Sequence, residues 1–193
     1  PIIIYWRYVR KEPGLPFNFT RKRMLTGIMV GILGAVLWRV LEMLVYDALG
    51  VMAGGYNPGT LTFYTLLENM DVTLFVVMTF TQLFIVGPVE EMQFRGFTQD
   101  QASRALSNPM ALAFASILFG ASHIPIAVTI YKMPMEQLIA AEVGWITAGA
   151  VFGALYMWSR NLWACIVMHG MGNWQLSVFF IGSQYSLEPV DSM

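Results

Sequence analysis

Long apolar runs separated by short segments rich in proline, glycine or charge divide this chain, and none of the runs shows the strict alternation of a half-buried strand. The first complete run extends from Met24 to about Tyr46, followed by Asp47 to Thr60, a Gly-rich stretch whose Asn57-Pro58-Gly59 signals a turn. Leu61 to Val86 forms the next run. Gly87-Pro88 then predicts a kink or a fresh helix start, because proline removes a backbone donor and crowds the preceding turn, and the helix continues through Glu90 towards Leu106. Ser107-Asn108-Pro109 breaks the chain before Met110 to about Ile124, which ends near the Pro125 to Pro134 region. Met135 to Trp158 and Leu162 to Ile181 complete the set, separated by Ser159-Arg160-Asn161. The pattern predicts an all-α protein of about six helices.

Composition turns these helices into membrane spans. The chain is 56% hydrophobic and 12% charged, with a mean hydropathy of +0.58, whereas a soluble domain is about 25% charged. A water-soluble fold cannot hide that much apolar surface. With about 20 residues needed per transmembrane helix, 193 residues accommodate one polytopic bundle, predicted over residues 24–182 around a buried polar cavity. The apolar stub Ile2 to Trp6 precedes basic residues, the reverse of a signal peptide, so residues 1–23 read as the end of a truncated span plus a basic loop. Residues 183–193 form a short acidic tail.

The formal net charge of −1 conceals a polarised distribution. Six of the eleven basic residues lie between Arg7 and Arg23, which places the loop 10–23 in the cytoplasm by the positive-inside rule. Alternation of the spans then puts Arg95, Arg104 and Arg160 on that side, Lys132 outside, and Arg39 within a span beside Glu42 at i,i+3. The lone Cys165 sits in an apolar run and reads as a buried structural thiol. No Gly-rich phosphate loop and no basic patch with interleaved aromatics is present, so nucleic acid is excluded as a partner.

Ionisable residues inside a membrane are costly to bury, and this sequence concentrates them. In Pro88-Val89-Glu90-Glu91-Met92-Gln93-Phe94-Arg95, Glu91 and Arg95 stand at i,i+4 in the favourable order for a helical ion pair, a structural role. Glu90 lies about 100° away around the helix and has no base at i+3 or i+4, so it is the carboxylate free for general-base work. The only two histidines, His123 and His169, each sit on another helix, His169 sharing a face with Asn173 at i+4. Glu90 and His123 are equidistant from the turn between Leu106 and Ser107, so an antiparallel hairpin sets them face to face. Straight helices place them about 25 Å from that turn, yet His169 only about 13 Å from Arg160. The hairpin tip must project from the membrane, or the helices must tilt.

The order Glu-Glu-x-x-x-Arg, Phe-x-x-x-His and His-x-x-x-Asn, each on its own helix, resembles the CAAX-processing and bacteriocin-processing (CPBP) intramembrane proteases, which include the type II CAAX prenyl endopeptidases. The resemblance covers residues 88–173. It implies that Glu90 and His123 activate a water against a peptide carbonyl while His169 and Asn173 stabilise the oxyanion, with Glu91 and Arg95 in support and Phe94 and Phe119 as packing. Implied partners are membrane lipids, a membrane-associated or lipidated peptide and a larger membrane complex; no cofactor is needed. A zinc-dependent alternative would use Glu90, His123 and His169 as ligands, although Asn173 is a poor zinc ligand and no His-Glu-x-x-His helix is present. A catalytically silent subunit or immunity-type protein of the same fold is the other alternative. A proton-relaying transporter lacks its expected paired broken helices.

Overall fold

The computed structural model describes residues 21–53 and 72–185, in which every regular element is a helix and short turns join them. The apolar stub, the basic segment up to residue 20, the Asn57-Pro58-Gly59 turn, the start of the second run and the acidic tail lie outside the described residues. So do the side chains of Arg39 and Glu42. Five helices carry the rest. α1 is Arg21–Ala53; α2 runs over residues 72–102; α3 is Asn108–Ala121, with a short continuation Ile124–Thr129; α4 is Met135–Ser159 and α5 is Leu162–Tyr185. Three stretches among the described residues are long and apolar enough to cross a membrane: Phe75–Ala102, Asn108–Thr129 and Met135–Ser159.

Several boundaries differ from the sequence expectation for identifiable reasons. α1 continues through Asp47 to Ala53, where a loop was expected, because an isolated glycine such as Gly50 is tolerated within a helix. Pro109 and Pro125 do not end helices but occupy first-turn positions, where the missing N–H costs nothing. Gly87-Pro88 does not break α2. The helix instead widens into π turns on either side, at Thr81–Val86 and Met92–Gln99, with the ordinary α turn Gly87–Glu91 between them. Pro88 starts that turn, and the Gly87 N–H reaches back to Gln82 O in the i→i−5 pattern of a π turn. Such insertions re-aim the residues that follow them, and they recur at functional sites.

Packing turns the soluble-protein arrangement inside out. Met29, Leu33, Val76, Phe84, Ile117, Ile139, Val143 and Trp158 are exposed, while Glu91, Arg95, Gln99, Ser116 and His169 are buried. An apolar core of Ala35, Phe152 and Met168 joins α1, α4 and α5. Gly87 and Gly170 let α2 and α5 touch by backbone: a Cβ on Gly87 would stand 3.2 Å from Gly170 Cα and 3.0 Å from Ile166 O. This contact lies one turn from Glu91 and one residue from His169. It therefore sets the distance between those two side chains.

Charge gathers at one end. Arg160 caps α4 in the left-handed conformation (φ 47°), which a side chain adopts at some cost, with its N–H bonded to Tyr156 O. Its guanidinium lies 3.6 Å from Asp100, which also pairs with Arg104 at 3.4 Å, and Arg23 donates to the Arg160 carbonyl. Asn161 ties this turn to α1 by donating to Arg23 O and starts α5 by accepting from Trp163 N–H. Arg95, expected at this membrane face, is instead buried nearer the middle of α2. The pairing of Arg160 with Asp100 also resolves the depth discrepancy. The polar end lies level with Asp100, nine residues from Glu91, just as Arg160 lies nine residues from His169, which is about 13 Å along the α-helical α5 and less along the π turns of α2. The turn at residues 103–107 stands beyond that level.

Candidate active site

Glu90 and Glu91 leave the same α turn in different directions, and the difference organises the site. Glu91 is fully buried. Its Oε1 accepts from Arg95 Nη1 at 2.7 Å and from His169 Nδ1 at 2.6 Å. Arg95 also donates through Nη2 to Gly149 O at 3.0 Å, and its guanidinium lies over the rings of Phe119 and Phe152. One turn on, Gln99 repeats the link by donating to Gly153 O at 3.0 Å. Glycines at 149 and 153 let α4 come close, since a Cβ on Gly149 would stand 3.1 Å from Ser116 Cα of α3.

Glu90 faces the other way. Its Oε2 lies 3.9 Å from His123 Nε2 and 3.7 Å from His169 Nε2, beyond hydrogen-bond range of both, and has no hydrogen-bond partner among the described residues. His123 Nδ1 lies 2.8 Å from Phe119 O. A carbonyl only accepts, so Nδ1 carries the proton and Nε2 presents a lone pair towards Glu90. The same reasoning applies to His169: Nδ1 donates to Glu91, leaving Nε2 to accept from Asn173 Nδ2 at 3.0 Å. Asn173 keeps a second amide hydrogen to give elsewhere.

Aromatic rings hold both imidazoles. Trp145 stacks on His123 with centroids 4.9 Å apart and planes at 19°, and Phe152 stacks on His169 at 4.8 Å and 19°. Both rings come from one face of α4, two turns apart. Phe119, buried, meets His123, His169 and Phe94 edge to face. Glu90, Glu91, His123, His169 and Asn173 thus come together with Arg95. Sequence reasoning missed three parts: Trp145, Phe152 and the bond from His169 to Glu91. The signals available were the i,i+7 spacing of the two aromatics and Gly149-x-x-x-Gly153, both hidden within what read as a plain apolar span.

A family model described as type II CAAX prenyl endopeptidase Rce1-like matches residues 72–175, more than half of the chain. The chain belongs to this family. No curated protein and no solved structure matches it. The matched region takes in α2, α3 and α4 and ends two residues after Asn173, so every side chain of the cluster lies within the family's own segment. It is a family of proteases, and its apolar helices fit a membrane protein.

Proposed function

We propose that this protein is a multi-pass intramembrane endopeptidase of the glutamate type, with its basic loop 10–23 in the cytoplasm, acting on membrane-associated or lipidated peptides. The observation that carries the reading is the pair of acceptors facing each other, Glu90 Oε2 and His123 Nε2, 3.9 Å apart. A water between them donates one hydrogen to each and keeps a lone pair for the scissile carbonyl. On attack, the water's oxygen bonds to carbon while its proton passes to Glu90; collapse breaks the C–N bond and that proton goes to the leaving amine. The developing oxyanion takes the second amide hydrogen of Asn173, which His169 orients through Nε2. A donor fixed beforehand in a site of low dielectric stabilises such charge better than bulk water. His169 itself donates from Nε2 only when that nitrogen is protonated, so Asn173 is the donor that requires no proton movement.

A zinc-dependent mechanism would use the lone pairs of His123 and His169 with Glu90. The hydrogen bond from Asn173 to His169 Nε2 already occupies one of them, so metal binding would displace an existing interaction. The metal-free reading is therefore preferred. In the full chain reconstituted in vesicles, Glu90→Ala and His123→Ala are expected to abolish peptide hydrolysis while the inserted protein stays folded. Retained turnover in the Glu90 variant removes the mechanism. Loss of activity on exhaustive chelation, restored by zinc alone, would replace it with the metal-dependent one. Comparing membrane-protein termini between cells with the native chain and cells with the Glu90 variant identifies the substrate.

A further inference from the structure

Glu142, in the second turn of α4, is a carboxylate that the proposed chemistry does not use. Its Oε2 is shut off from solvent and has no hydrogen-bond partner among the described residues. Its Oε1 lies over the bare backbone of Gly120, where an added Cβ would come within 2.6 Å of it. The helical register makes this position informative. Gly120 adjoins Phe119, whose carbonyl lies 2.8 Å from His123 Nδ1, and Glu142 lies on Gly120 while Trp145, one turn along α4, stacks on His123. The carboxylate therefore lies against the same stretch of backbone, residues 119–120, that holds the imidazole of His123. An unpaired carboxylate in a membrane-spanning helix is costly and marks a site for a missing partner. Arg95, the cation of the neighbouring cluster, is already engaged by Glu91 and the Gly149 carbonyl.

We propose that Glu142 forms an acidic subsite that receives a cationic side chain, lysine or arginine, of the substrate peptide close to the scissile bond. The inference rests on the peptidase reading. An extended peptide advances about 3.3 Å per residue, so with its scissile carbonyl at Glu90 and His123 a side chain one or two residues away reaches Glu142. A cation compensates a carboxylate of low solvent exposure more completely than a neutral donor does, because the interaction is strongest where water is excluded.

The test uses the full chain in phosphatidylcholine vesicles and a palmitoylated, fluorophore-quencher peptide library with lysine or its uncharged counterpart norleucine at each position flanking the cleavable bond. The native protein is expected to favour lysine at one position by about tenfold in kcat/KM. Glu142→Gln is expected to remove that preference while leaving kcat on the norleucine peptide unchanged, and Glu142→Lys to transfer it to a glutamate-bearing peptide. Lysine preference at no position, or a preference that survives in Glu142→Gln, overturns the subsite. Binding of the lysine peptides by fluorescence anisotropy, compared between Glu90→Gln and the Glu90→Gln/Glu142→Gln double variant, reads the subsite without turnover; equal affinities overturn it. Hydrolysis that persists in Glu90→Gln overturns the peptidase reading instead, so the two failures are distinct.

Discussion

The two histidines stand in halves of one site that differ in whether carboxylate and imidazole are bonded directly to each other. On the α5 side, His169, Glu91 and Arg95 are 2%, 0% and 1% exposed and bond to one another at 2.6 and 2.7 Å. On the α3 side, His123 and Glu90 are 22% and 27% exposed and stand 3.9 Å apart. The chemical groups are the same, a carboxylate and an imidazole. Only in the open half do the carboxylate and the imidazole present acceptor atoms to each other with no hydrogen bond between them. Glu91, bonded through Oε1 to a guanidinium and an imidazole although its Oε2 has no partner among the described residues, is part of the scaffold, whereas Glu90, outside hydrogen-bond range of both imidazoles, is available for proton transfer.

The sharpest way to break this comparison is to remove Arg95. Arg95→Ala strips Glu91 of its cation and releases the link to Gly149, and breaking a buried pair by deleting one partner costs about 3–5 kcal/mol. Thermal unfolding of the purified protein in detergent should therefore show a large loss of stability, whereas Glu90→Gln in the open half should unfold within about 0.5 kcal/mol of the native protein despite its loss of hydrolysis. Equal stability losses in the two variants would erase the distinction between scaffold and chemistry.

Asn173→Ala probes the seam between the halves. It removes the donor assigned to the oxyanion and leaves His169 Nε2 without its partner, while the bond from His169 to Glu91 survives. Removing one oxyanion donor lowers kcat by about a hundredfold or more, so the expectation is a fall of that order with KM nearly unchanged. A variant that raises KM while keeping kcat would assign Asn173 to substrate binding instead.

The open half was legible in the sequence because it depends on local spacing, Glu90 without a helical base and His123 at an equal distance from the turn, and so was the seam, His169 with Asn173 at i+4. These are facts of one helix or one hairpin, and helical periodicity fixes them. The sealed half was only partly legible. The i,i+4 spacing gave Glu91 to Arg95, but not the second bond to His169, which depends on the backbone contact of Gly87 with Gly170 from helices more than eighty residues apart. The depth of the site is a similar case: counting from the turn at Ser107 leaves a projecting hairpin tip or tilted helices as alternatives, and the ion pair between Arg160 and Asp100, a contact between distant helices, favours the projecting tip.

Trp145 and Phe152 offer the finest test, because α4 presents one aromatic to each half at the same stacking geometry. Phe152 is also part of the core with Ala35 and Met168, so Phe152→Leu removes both packing and the stack on His169 and should lower stability by about 1–3 kcal/mol. Trp145 is only partly buried and touches His123 outside that core. Its stack is worth about 0.5–1.5 kcal/mol, enough to hold the imidazole plane so that Nε2 points at Glu90 rather than away from it. Trp145→Leu should thus lower kcat by up to about tenfold, with KM and the unfolding midpoint little changed. Trp145→Phe, which keeps a ring over His123, should recover most of the loss. A purely structural role would move stability and leave the leucine and phenylalanine variants equal in kcat; a split in kcat alone places Trp145 in service of the open half.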